Sequence, residues 1–144
     1  MSWETITNIA PAKAAAIPPM GVGVACRKLG TRKRGEVRYI RITIAPALAA
    51  KLCLRTDKIG LRLALGSGPH AGKIALSVDA SNGNFMAKKV KDGGYFLTIN
   101  AASAAGLFSL DFPSFGAVAE MLPPERDKPP MAAFRASAEM LEAE

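Results

Sequence analysis

Hydrophobic and polar positions alternate with a period of two over much of the chain, the pattern of strands buried on one face. Ile40, Ile42 and Ile44 fall on one side of one such run, and Tyr39, Arg41 and Thr43 on the other. Tyr95, Leu97 and Ile99 take the inner side of a second run, with Phe96 and Thr98 outside. Further apolar runs at Val22–Leu29, Ile59–Leu65, Lys73–Val78, Phe85–Val90 and Phe115–Leu122 predict strands. Between Val22–Leu29 and the run ending at Ile44, residues 30–36 predict a long hairpin loop, and Gly66–Gly72 and Lys91–Gly94 predict turns. Thirteen glycines and ten prolines break up the alanine-rich stretches and argue against long helices.

Part of this pattern occurs twice. Ile42-Thr43-Ile44-Ala45-Pro46-Ala47-Leu48-Ala49-Ala50-Lys51-Leu52 matches Leu97-Thr98-Ile99-Asn100-Ala101-Ala102-Ser103-Ala104-Ala105-Gly106-Leu107, 55 residues later. Each copy reads as a strand entering a short helix, near 45–53 and 100–108, with Pro46 at the first helical position and Asn100 as an N-cap. A hairpin precedes each copy and an apolar strand follows it. The predicted architecture is mostly β with short helices, a small barrel closed by two similar β-β-α-β halves that cannot bury their apolar faces alone. The domain reading is an irregular N-terminal arm over 1–20, a barrel over 21–122 with pseudo-repeats 21–80 and 83–122, and a C-terminal extension over 123–144. The extension begins with the proline pairs Pro123-Pro124 and Pro129-Pro130 around four charges, a linker composition. Met131, Phe134, Ala138 and Leu141 then fall at helical spacing, which predicts a short C-terminal helix and a candidate contact for a protein partner.

The run from Ile40 to Val78 resembles the swapped-hairpin (cradle-loop) barrels of the AbrB and MazE families. It carries Ile42-Thr43-Ile44-Ala45-Pro46, the helix from Ala47 to Leu54, Arg55-Thr56-Asp57-Lys58, and strands at Leu61–Leu65 and Lys73–Val78. Cys53 stands where the family pattern has a glycine. The resemblance implies a barrel that binds DNA, as in transcriptional regulators and antitoxins, here with both halves in one chain instead of two.

Charge adds a direction. The net charge is +7, but fifteen of nineteen cationic residues lie between Arg27 and Lys91, against only Glu36, Asp57 and Asp79. Such segregation favours a polyanionic partner, of which nucleic acid is the commonest in cells. The candidate nucleic-acid-binding residues are Arg27, Lys28, Arg32, Lys33, Arg34, Arg38 and Arg41 on the first hairpin, and Lys88, Lys89 and Lys91 on the second. A basic two-stranded ribbon can track a phosphate backbone or enter a groove, and Tyr39 is an available stacking partner. If a pseudo-twofold axis relates the halves, both hairpin loops are expected along one edge of the barrel.

No residue argues for catalysis. His70, the sole histidine, lies in a Gly-Pro-rich turn, and a turn histidine without Cys or His neighbours is an exposed side chain before it is a ligand. The acids are scattered with no pair spaced for acid–base work, and Gly66-Ser67-Gly68 lacks the lysine and helix start of a phosphate loop. No metal site and no cofactor are expected. Cys26 and Cys53 read as idle thiols of a reducing compartment, and no run reaches the roughly 18 apolar residues of a membrane span. The expectation is a non-enzymatic cytoplasmic protein, monomer or homodimer, that binds nucleic acid, with duplex DNA as the leading partner. A protein-interaction or phage-type structural role is the alternative reading, and single-strand binding a weaker one.

Overall fold

The computed structural model describes residues 17–31, 35–79 and 85–142. Eight strands close an antiparallel barrel: β1 (Gly21–Thr31), β2 (Gly35–Ile44), β3 (Lys58–Leu65), β4 (Lys73–Val78), β5 (Phe85–Lys89), β6 (Tyr95–Asn100), β7 (Phe115–Met121) and β8 (Met131–Arg135). Around the ring they run β1-β2-β6-β5-β3-β4-β8-β7. Two short helices, α1 (Pro46–Lys51) and α2 (Ala101–Ala104), follow β2 and β6. Pro46 opens α1, and the Asn100 side chain caps α2 by accepting from Ser103 N at 2.8 Å. Both assignments were legible in the chain.

The ring order carries the internal symmetry. Replacing β1–β4 by β5–β8, and the reverse, returns the same ring, so each half's first hairpin is inserted between strands of the other half. The register fixes the axis. Ile42 pairs with Leu97, its own counterpart 55 residues on. The flanking pairs answer each other, since Arg41–Thr98 maps onto Phe96–Thr43. The axis leaves the far wall at the Ala75–Ala133 pair, where Ile74–Phe134 answers Leu76–Ala132.

Alternation places the core as expected. Val22, Val24, Ile40, Ile42, Ile44, Leu61, Ile74, Leu76, Tyr95, Leu97, Ile99 and Phe134 are buried inside, and Leu48 and Leu52 of the α1 region join them. The Tyr95 phenol reaches the Thr56 carbonyl at 2.5 Å, which satisfies the one hydroxyl in this set.

Three expectations are corrected. The long loop expected from Gly30 to Glu36 is shortened by pairing: Gly30–Glu36 and Thr31–Gly35 belong to the ladder, so β1 and β2 form a two-stranded ribbon that outruns the barrel. The chain beyond Leu122 is not an appendage ending in a helix. Met131–Arg135 is the eighth strand, paired with both β4 and β7, and the second half therefore extends well past residue 122. Phe134, Ala136 and Met140 are buried, and residues 138–141 form only turns. Alanine explains the misreading, because Ala132, Phe134 and Ala136 satisfy a period of two as well as Met131, Phe134, Ala138 and Leu141 satisfy a helix. Finally, the two hairpin loops do not share an edge. The axis crosses the antiparallel β2–β6 pair at right angles, so it exchanges the ends of the barrel. Tyr39 lies opposite Asn100 and Ile44 opposite Tyr95, which puts the β1–β2 tip at one end and the Val90–Gly94 turn at the other, beside Pro46.

Candidate nucleic-acid interface

The sequence-derived cations divide over several surfaces. On the ribbon, Arg27 pairs with Tyr39 on the outer face, whereas Lys28 pairs with Arg38 on the opposite face. Arg38 lies near the half-buried Cys26, whose thiol is pushed above its ordinary value mainly by burial; a hydrogen bond with the Phe112 backbone opposes that shift, Asp111 adds to it and Arg38 offsets part of it. Arg32, Lys33 and Arg34 lie outside the described residues. Lys91 sits in the turn at the far end of the barrel, and Lys89 pairs with the buried Tyr95, out of phase with Lys88. Arg27, Arg41 and Lys88 are the candidates that the fold brings onto one surface.

That surface is the outer face of β1, β2, β6, β5 and β3. Cross-strand pairing makes a continuous row from Gly23 through Thr43, Phe96 and Lys88 to Lys58. Beside it run Ala25, Arg41 and Thr98, and then Arg27, Tyr39 and Asn100. Among the described side chains at outward positions of these five strands there is no Asp or Glu, against Arg27, Arg41, Lys58, Arg62 and Lys88. Ala25, Thr43, Thr98 and Gly60 lie between the cations, together with the larger Tyr39, Phe96 and the exposed Met86.

Two contacts define its electrostatics. The Arg41 guanidinium carbon lies 4.2 Å from the centroid of the Phe96 ring, a cation–π stack across the pseudo-twofold axis. Position 41 and position 96 are the symmetry-related pair whose chemistry differs between the repeats. Lys58 and Lys88 face each other directly in the β3–β5 ladder, both exposed. Like charges directly opposite destabilise a sheet, so this pair is a local cost that a bound anion would relieve.

Lys58 and Arg62 escaped the sequence reading. Alternation within β3 shows that Lys58, Gly60 and Arg62 share a face, but nothing in the chain says that β3 lies beside β5 rather than beside its sequence neighbour α1. His70 lies exposed in the Gly68–His70 turn, beside a cleft of about 370 Å³ that it shares with Glu125, Lys128 and three prolines. Glu125 and Lys128 bridge at 2.8 Å with both side chains mostly in water. Among the described residues no three of His, Cys, Asp and Glu come together, and no helix is long and apolar enough to cross a membrane. Comparison with family models, curated proteins and solved structures found no match to this chain.

Proposed function

We propose that the protein binds nucleic acid through the outer face of β1, β2, β6, β5 and β3, with the β1–β2 ribbon extending that face. The observation that carries this reading is the absence of acids among the described side chains at outward positions of five adjacent strands, together with the directly opposed Lys58 and Lys88. A surface that merely keeps the barrel soluble would mix both signs. Here the cations are spread across the five strands, with Thr43, Thr98, Ala25 and Gly60 and the larger Phe96 and Met86 between them, so that a phosphate chain lying across strands meets several in turn. Binding of this kind is electrostatic first, because each phosphate neutralised releases a condensed counterion.

The test is a salt titration. If Arg27, Arg41, Lys58, Arg62 and Lys88 each neutralise one phosphate, the log–log slope of affinity against salt should be about −3.5 on single strands and about −4.5 on duplex. Fluorescence anisotropy with labelled oligonucleotides measures it. A slope near zero, or no binding at low salt, refutes the reading.

A further inference from the structure

Arg41 belongs to two arrangements at once. One side of it lies on the Phe96 ring. It also lines a recess of about 60 Å³ to which Phe96 does not contribute. Gly23, Ala25, Ile17 and Phe115 line that recess together with Thr43 and Ser114, and Arg27 joins Arg41 there. The glycine is needed there, since a Cβ on Gly23 would come within 2.7 Å of the Ile17 side chain. The result is a shallow slot that combines small and apolar side chains, the Phe115 ring, two hydroxyls and two guanidinium groups, with the lysines of β5 and β3 beyond β6 on the same face.

We infer that this slot takes an unpaired nucleobase against Arg41, so that the ligand is single-stranded nucleic acid; this rests on the function proposed above. A guanidinium stacked on a ring is held as a flat platform, and bases stack on aromatic and arginine planes alike. The slot is too small for a whole nucleotide and open enough for the face of one ring. Arg27 stands at the slot to meet a phosphate beside that base, and Lys88 and Lys58, about 10 and 15 Å from Arg41 across β6, meet phosphates further along the strand. A duplex cannot use this arrangement, because its base faces are hidden in its own stack and it offers the slot only backbone.

Four labelled ligands of about twelve nucleotides separate the possibilities: single-stranded DNA, single-stranded RNA, an abasic strand and a blunt duplex. Wild-type protein should bind at least one base-bearing strand about tenfold more tightly than the abasic strand, and the better of the two sugars identifies the source. Arg41→Lys keeps the charge but loses the planar stack, and Ala25→Leu fills the slot. Each should bring the ratio of base-bearing to abasic affinity down from roughly ten towards one, read as a ratio within the same variant. Equal affinity for base-bearing and abasic strands, tighter binding to duplex, or indifference to Arg41→Lys would overturn the slot yet leave nucleic-acid binding standing. Failure to bind any of the four would overturn both.

Discussion

Lys88→Glu should make the protein more stable and a poorer binder at the same time. Lys88 stands directly opposite Lys58 across the β3–β5 ladder, with Phe96 on its other side. A directly opposed like pair costs about 0.2–1 kcal/mol, and an opposite pair contributes about as much. The substitution exchanges one for the other, so a gain of about 1 kcal/mol is expected, or about 2–4 °C in Tm for a chain of this length. Binding moves the other way. The variant removes one phosphate contact and pairs the second lysine with a carboxylate, so the single-strand salt slope should fall from about −3.5 to about −2.1. In affinities, the loss between 50 and 200 mM salt shrinks from about 130-fold to about 20-fold. Calorimetry or a thermal melt reads the first effect and anisotropy at the two salts reads the second. An unchanged slope beside a raised Tm would show that the lysine pair touches no phosphate. A lowered Tm would show that the pair is not a repulsion at all.

Phe134→Ala should cost about 3–5 kcal/mol, or about 6–20 °C in Tm, because the ring is buried in the eighth strand. Val118→Ala, on the exposed outer face of β7, should stay within about 0.5 kcal/mol, and equal effects of the two would refute the closed barrel. Cys53 follows α1 with φ of +62°, a left-handed conformation, and Cys53→Gly should stabilise by about 0.5–1 kcal/mol after the glycine's extra unfolded entropy is deducted. A lower Tm for that variant would contradict the strain argument. If Arg32, Lys33 and Arg34 add phosphate contacts to the five of the wall, the wild-type duplex slope should be steeper than about −4.5 by up to about 3 units, and replacing all three by alanine should remove that excess with Tm unmoved; an unchanged slope would confine binding to the barrel wall.

What could be read from the chain was local, and what could not was pairing. Ile40, Ile42 and Ile44 announce their inward face because a strand's period is two, and Asn100 announces a helix start because its side chain can take a free backbone N–H. The 55-residue repeat predicted two halves, and the Ile42–Leu97 pair shows where the axis between them runs. Which strands become neighbours is a different matter. Lys58 lies thirty residues from Lys88, and their apposition depends on β3 joining β5 across the two halves. No local preference encodes that. The eighth strand was missed for a related reason: Met131–Arg135 has little more than Phe134 to distinguish an inward face, and its strand character comes from the open β4 and β7 on either side. The left-handed backbone at Cys53, φ of +62°, was not legible either, because a cysteine carries no preference for that conformation.

The fusion of both halves into one chain has a chemical consequence at the axis. In a twofold dimer of a single half, the two positions flanking the Ile42–Leu97 pair on the outer wall would carry the same side chain. Two arginines there would repel each other, and two phenylalanines would leave an apolar patch without charge. A single chain is free of that constraint, and here one position is Arg41 and the other Phe96, stacked at 4.2 Å. The asymmetry continues outward from the axis. Beyond Phe96 lie Lys88 and Lys58, whereas beyond Thr43 lie Gly23 and the recess walled by Ile17 and Phe115. One side of the axis thus carries the lysines, and the other the slot with Arg27 and Arg41 beside it. A ligand that satisfies both must present charge and a planar surface within about 10–20 Å of each other. A single-stranded nucleic acid does so at every nucleotide, and that match, more than net charge, is why the wall centred on Ile42 and Leu97 is the place to test first.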